Sequence, residues 1–278
     1  MLSYRHSFHA GNHADVLKHL VLVRILDYLA RKDKPLCYLD THAGAGGYSL
    51  RGEQALKNRE FETGIGRLWG RADLPAPLAA YVGLVRRFNP GPDLLHYPGS
   101  PWLARQLLRP ADRLFLHERH PADCAALGDQ SADDRRVKVS CGDGYQGCIA
   151  LLPPRERRGL VLIDPPYELK GDYRQAVETL REAHRRFSTG VYALWYPVVE
   201  RARVEGMERA LRATGIPRLD RYELAVAPDR RGHGMTGSGL LVVNPPWGLR
   251  EEMETCLPWL VRDLSGDGGG CRVECLVA

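Results

Sequence analysis

The chain has 278 residues, 44% of them hydrophobic and 26% charged, with a formal net charge of +5. That length buries a substantial core, as one large domain or as a domain with an insertion, and the composition is that of a soluble globular protein. No apolar run reaches membrane-spanning length, and Met1 to Asn12 is polar and His-rich rather than signal-like, so a cytoplasmic chain without a membrane partner is expected.

In chain order, residues 1–15 lack any clear period and read as an irregular, mobile arm. Asn12 can cap the helix that follows, with Asp15 near its positive end, and Val16, Leu17, Leu20, Val21, Ile25 and Tyr28 carry that helix to about Ala30. His6, His9, His13 and His19 invite a metal reading, but no neighbouring carboxylate or cysteine completes a convincing set, so no metal is expected. Leu36 to Asp40 is a short apolar strand, followed by the glycine loop Thr41 to Gly47, which would let a cofactor approach the backbone closely. A full Gly-x-Gly-x-x-Gly is absent, since Ser49 stands where the third glycine would be, and no strand-ending acid follows at nicotinamide-site spacing.

The next strand, Arg113 to Glu118, lies far beyond an ordinary crossover, and Glu118 closes it where an acid that holds ribose hydroxyls belongs. Residues 50–97 between them read as an inserted helical subdomain, suited to substrate recognition, with Phe61, Ile65, Leu68 and Trp69 as one apolar set. The remaining chain, 1–49 and 98–278, then forms the main α/β domain. Tyr97-Pro98-Gly99-Ser100-Pro101 turns into a helix with Ser100 as its expected N-cap. Val137 to Ser140 is a strand running into Gly142-Asp143-Gly144, whose carboxylate suits an adenine amine or simply a turn. Later strands are expected at Leu160 to Ile163, Gly190 to Pro197, Tyr222 to Val226 and Gly239 to Asn244. Helices fall between most of them, which gives a seven-stranded, doubly wound, Rossmann-like sheet. Seven scattered cysteines (Cys37, Cys124, Cys141, Cys148, Cys256, Cys271, Cys275) with no Cys-x-x-Cys pair favour reduced thiols.

The stretch Leu160-Val161-Leu162-Ile163-Asp164-Pro165-Pro166-Tyr167 carries the chemistry. An unbroken apolar run is what a strand buried on both faces requires, and two prolines end it, since neither can donate to a central ladder. The turn offers a carboxylate, carbonyls without amide partners nearby and an aromatic ring, the parts needed to hold a planar base by its exocyclic amine. Asn244-Pro245-Pro246-Trp247 has the same pattern but closes the last long strand, so Asp164 is taken as the catalytic residue, with Pro165 and Tyr167 binding substrate. Arginine pairs, from Arg86-Arg87 to Arg185-Arg186 and Arg230-Arg231, fit phosphate neutralisation or solvated faces equally, and the basic glycine loop Pro228 to Gly239 fits a clamp on substrate or a solvated loop equally.

Asp-Pro-Pro-Tyr resembles the signature of S-adenosylmethionine-dependent methyltransferases acting on amino groups. The resemblance narrows when other segments are added: Leu2 to His19, Tyr38 to Gly46, Tyr97 to Pro101, Leu162 to Glu168, Ala193 to Pro197 and Asn244 to Trp247 resemble the RlmJ family. Those enzymes methylate N6 of one adenine in 23S ribosomal RNA. The similarity runs nearly end to end, weakest at Arg230 to Thr236. It implies a class I methyltransferase fold and S-adenosylmethionine as cofactor, converted to S-adenosylhomocysteine. It implies a cofactor site of His19, His42, Ser100, Glu118, Asp143, Gly144 and Asp164, and an arm containing Tyr4 that folds over the cofactor and meets RNA. The expected partner is 23S rRNA, protein-free or in an early precursor, met by a monomer. An amino methyltransferase for DNA adenine or protein glutamine uses the same turn, and a non-catalytic RNA-binding Rossmann protein is a rival from another class.

Overall fold

The computed structural model describes residues 5–169, 171–229 and 234–278. Tyr4 and the basic stretch 230–233 lie outside the described residues.

The elements run α1 (His13–Ala30), β1 (Cys37–Asp40), β2 (Gly47–Ser49), α2 (Glu53–Asn58), α3 (Glu60–Thr63), α4 (Ile65–Trp69), α5 (Ala76–Arg87), β3 (His96–Pro98), α6 (Ser100–Leu107), β4 (Arg113–Glu118) and α7 (Pro121–Ser131). They continue as β5 (Val137–Cys141), α8 (Gly144–Leu151), β6 (Gly159–Ile163), α9 (Asp172–Arg186), β7 (Val191–Val198), α10 (Arg201–Arg212), β8 (Leu219–Ala225), β9 (Gly237–Val243), α11 (Leu249–Leu264) and β10 (Gly270–Val277).

Eight strands form one sheet in the order β10-β8-β9-β7-β6-β1-β4-β5. From β5 to β7 neighbours pair in parallel, and β9, β8 and β10 extend the sheet antiparallel. Alternation along β6 explains its uninterrupted apolar run: Leu160 and Leu162 join the core cluster under α1, whereas Val161 and Ile163 join the cluster under α9 and α10. Helices cover both faces, as in an α/β methyltransferase sheet. The strand order reverses around β1, which has β4 on one side and β6 on the other, and that opens a crevice at the carboxyl ends of these strands.

Three sequence expectations change. The sheet has eight strands rather than seven, because the tail forms β10 as an antiparallel edge on β8. Its residues are mostly half-buried or exposed and include Arg272 and Glu274, so no long apolar run marks it. Ser100 does not cap α6; Gly99 occupies the cap position without a side-chain bond, and the Ser100 hydroxyl donates instead to the buried Asp40 carboxylate at 2.6 Å. Cys124 and Cys141 form a disulfide rather than free thiols, because the packing of α7 on β5 brings their Cα atoms to 5.7 Å.

The arm and the segment 50–97 pack together. Asn12 caps α1 by accepting from Ala14 N and Asp15 N. The Gly11 carbonyl accepts from Ile65 N at 2.8 Å, and Gly64 lies so close that a Cβ there would stand 2.1 Å from the Gly11 oxygen. Ile65, Leu68, Leu78 and Tyr81 share one apolar cluster with Val16, Leu17 and Leu20 of α1. The segment leaves and rejoins the main sheet through the short β2–β3 ladder, with Tyr48 opposite Tyr97.

Candidate active site

A cleft of about 430 Å³ opens at the carboxyl ends of β1, β4, β6 and β7, with the start of α1 along one side. Asp164 follows β6 at its edge. Its side chain is 14% exposed and accepts from Lys18 Nζ at 2.7 Å, and the same ammonium lies 2.9 Å from Asp15 Oδ1. Burial pushes the Asp164 carboxyl up to about 6, although the Lys18 charge and hydrogen bond and the nearby His6 pull it down. Burial also opposes ionisation of Asp15, but His6, bonded to it at 3.0 Å, and Lys18 outweigh this and hold it well below the usual carboxylate range. Lys18 Nζ also sits 5.7 Å from the Trp195 ring centroid.

The turn is set by its own backbone. Tyr167 has φ of +53°, a left-handed conformation that costs a non-glycine residue about 1–2 kcal/mol. Its hydroxyl donates to the Trp195 carbonyl at 2.6 Å, and its ring tilts against Tyr173 with centroids 4.5 Å apart. The ring is therefore held at both ends on the cleft wall.

The other half of the cleft collects the residues expected to hold a nucleoside cofactor. Glu118 accepts from Gly44 N at 2.8 Å and His120 N at 2.7 Å, which fixes the carboxylate beside the glycine loop. Gly44 has φ of +64°, and a Cβ there would stand 2.1 Å from the Tyr48 hydroxyl, so only glycine fits. His42 is half-buried, with its ring nitrogen 2.8 Å from Thr41 Oγ1 and its ring edge-on to Tyr145; desolvation lowers its pKa to about 4, keeping it neutral at physiological pH. His19 is held neutral in the same way, with its pKa lowered to about 3, and its Nδ1 lies 2.7 Å from the Tyr97 hydroxyl, itself 2.8 Å from that of Tyr81. Two buried polar atoms on the cleft lining, Tyr145 Oη and Trp195 Nε1, have no hydrogen-bonding partner among the described residues. A polar ligand between them would supply the missing bonds.

Of the sequence-derived candidates, His19, His42, Ser100, Glu118, Asp164, Pro165 and Tyr167 line this one cleft. Asp143 and Gly144 do not. Asp143 caps α8 by accepting from Gln146 N at 3.1 Å, and Gly144 is required because a Cβ would stand 1.8 Å from the Thr41 carbonyl oxygen. Tyr4 is outside the described residues. Sequence reasoning missed Lys18, Asp15 and Asp40. The available signal was Asp15 and Lys18, two charges three residues apart in the first half of α1, where Ala14 to Val21 are all buried. Asp40, fully buried, accepts from the hydroxyls of Tyr38 at 2.7 Å and Ser100 at 2.6 Å, and burial raises its pKa.

Asn244 also has positive φ, +52°, so the local backbone does not distinguish the two Pro-Pro turns. The sheet edge does. β9 runs antiparallel to β7, pairing Val243 with Tyr192, so Asn244 emerges at the amino edge of the parallel strands, opposite the cleft. There its amide donates to the carbonyls of Ser188 at 2.9 Å and Gly190 at 2.8 Å.

Residues 33–277 match the family model described as Ribosomal RNA large subunit methyltransferase D, RlmJ. The chain belongs to this family. The protein named Ribosomal RNA large subunit methyltransferase J from Escherichia coli strain K12 is 53% identical over 270 residues, 97% of this chain and 96% of its own length. The protein of the same name from Haemophilus influenzae is 51% identical over 271 residues, again 97% of this chain and 96% of the relative. A crystal structure of a Legionella pneumophila protein, 39% identical, superposes with a TM-score of 0.89 and covers 96% of this chain and 98% of that one.

Proposed function

We propose that this chain, acting as a monomer, transfers a methyl group from S-adenosylmethionine to the exocyclic N6 of one adenine in 23S ribosomal RNA, leaving S-adenosylhomocysteine. The observation that carries the reading is Asp164, a largely buried carboxylate on a rigid turn beside β1, with the anchored Tyr167 ring next to it.

The cleft fits the cofactor by its donor set. Glu118 suits ribose hydroxyls, the loop at Gly44 allows close approach, and the carboxylates of Asp15 and Asp164 suit a sulfonium charge. His19 and His42, both held neutral, add no positive charge against it. Asp143 and Gly144 start α8 outside the cleft lining, and their assignment to the adenine end rests on the family resemblance. Arg5 Nη1 bonds Asp123 at 3.3 Å and lies 3.1 Å from His120 Nδ1, which ties the arm beside the Glu118 loop and supports Tyr4 acting over the cofactor.

When bound, the sulfonium supplies a methyl already activated for transfer. The residues supply alignment. Unstacking the target adenine costs about a few kcal/mol, and stacking on Tyr167 returns on the order of 1–3 kcal/mol. Asp164 and the Pro165 carbonyl accept from the N6 amine and draw its lone pair out of conjugation. Positive charge grows on N6 during transfer, and a fixed carboxylate stabilises it more in the transition state than before. Asp164, with its pKa near 6, then takes the proton and releases it near neutrality. Lys18 keeps the carboxylate ionised and oriented until the adenine arrives, and segment 50–97 meets the surrounding RNA.

The test is transfer of labelled methyl to protein-free 23S rRNA, duplex DNA and assembled large subunits, with the product mapped by nucleoside and position. A single N6-methyladenosine in the naked RNA is expected. Asp164→Ala should lower turnover roughly a hundredfold or more with little loss of RNA binding. Near-normal turnover in that variant, or label only in DNA, would overturn the reading.

A further inference from the structure

We propose that the groove between α9 and α10 carries the sugar–phosphate backbone of the RNA strand leaving the cleft. The inference rests on the RNA acceptor proposed above and extends it to the path of the strand.

The groove has a volume of about 500 Å³ and adjoins the cleft, sharing Tyr173 and Arg203 as lining residues. Two guanidinium groups, Arg174 and Arg181, face a single carboxylate, Glu178, while Arg203 at the same groove is paired with Glu200 at 2.7 Å. Arg174 is 82% exposed and meets Glu178 only at 3.7 Å, a separation at which an exposed pair contributes little. Arg181 is exposed and has no hydrogen-bonding partner among the described residues. Arg174 and Arg181 are two turns apart on α9, about 10 Å along the axis at 1.5 Å per residue, which matches roughly three stacked nucleotides at 3.4 Å each.

Shape agrees with charge. Gly206 lies in the groove with open space where a Cβ would stand, and Ala210, one turn further on, keeps the floor shallow. On the cleft lining, Leu169 is 70% exposed and Val199 44% exposed. Apolar surface there suits the bases flanking an unstacked adenine, while the arginines of the groove suit its phosphates. An apolar partner helix would bury Arg174 and Arg181 with only Glu178 between them, so a polyanion is the better occupant.

The experiment uses the full-length chain and an in vitro transcribed, protein-free 23S rRNA. Methyl-transfer kinetics are measured for the wild type, for Arg174→Ala/Arg181→Ala and for Arg209→Ala, an exposed arginine of α10 outside the groove. Each is repeated at several salt concentrations, with S-adenosylmethionine binding measured separately. The groove variant should show a KM for RNA raised about tenfold, with kcat and cofactor binding unchanged. The slope of log affinity against log salt should fall by about 1.4, from two lost contacts at 0.7 each on a single strand. Arg209→Ala should behave as wild type. Equal effects in both variants, or unchanged KM and slope in the groove variant, would overturn the proposal, and the second outcome would leave the groove to a protein partner. A wild type that binds cofactor but transfers nothing to RNA would instead overturn the acceptor reading, and the groove with it.

Discussion

Replacing Lys18 by Met tests the charge balance around Asp164 most directly, because the substitution removes the ammonium and keeps the stem. Lys18 is 5% exposed and its Nζ stands 2.7 Å from Asp164 and 2.9 Å from Asp15. An opposite charge at such range lowers a carboxyl pKa by about 1–3 units. Without it, the Asp164 value should rise from about 6 into the range of roughly 7–9. At pH 7 the ionised fraction would then fall from about 90% to between about 50% and 1%. The assay is kcat/KM for methyl transfer across a pH series. We expect an acid limb near 6 for the wild type and one displaced upward by at least about one unit in Lys18→Met, with activity recovering towards about pH 9. Recovery with pH is the deciding feature, since raising pH does not repair a damaged fold. A uniformly lower rate with an undisplaced acid limb would refute the reasoning.

Two further substitutions separate packing from chemistry. Gly144→Ala sets a Cβ 1.8 Å from the Thr41 carbonyl oxygen, a backbone atom that cannot swing aside, and should destabilise the protein by about 1–3 kcal/mol or more in denaturant unfolding; an unchanged midpoint would contradict the contact. Asn244→Ala removes two amide donations to Ser188 and Gly190 and should cost about 1–2 kcal/mol of stability. Because that turn lies at the opposite edge of the sheet, kcat should stay at the wild-type value, and a large fall in kcat at unchanged folding would assign it to the chemistry after all.

The parts of the fold that were legible are those whose sequence pattern follows from local burial. Leu160 to Ile163 reads as a central strand because both faces are covered, and Asn12 reads as a cap because its side chain serves the helix it precedes. The cleft residues at strand ends, Glu118 and Asp164, were legible because an acid terminating an apolar run has little else to do there. What stayed hidden depends on long-range contact. Lys18 and Asp164 are 146 positions apart, and nothing near either residue in sequence announces the other. Ser100 before Pro101 is a good local N-cap, but a fully buried Asp40 is the stronger claim on its hydroxyl. The edge strand β10 carries Arg272 and Glu274 towards partners on β8 and so lacks an apolar signature. The Cys124–Cys141 pair depends on helix α7 lying on β5, which spacing alone does not encode.

The same burial that tunes Asp164 for proton transfer should also make the folded protein less stable near neutrality, and the sign can be worked out. Its folded pKa is raised from 3.8 to about 6, so the native state resists ionisation that the unfolded chain accepts freely. Stability from the protonated form is therefore fully present below about pH 4, declines as pH rises to about 6, and is lost above it. The shift of about two units corresponds to roughly 3 kcal/mol at 1.36 kcal/mol per unit. Asp164→Asn keeps the shape and cannot ionise, so it should be more stable than wild type at about pH 8, by up to that amount, with the difference vanishing near pH 4. Asp15, held ionised by His6 and Lys18, works in the opposite direction, but it is present in both proteins and cancels in the difference. Thermal melts of the two proteins across pH measure this. A gap independent of pH, or an Asn variant that is less stable at pH 8 than at pH 4 relative to wild type, would mean that Lys18 fully compensates the buried charge. In that case the raised pKa could not be what poises Asp164 for the proton.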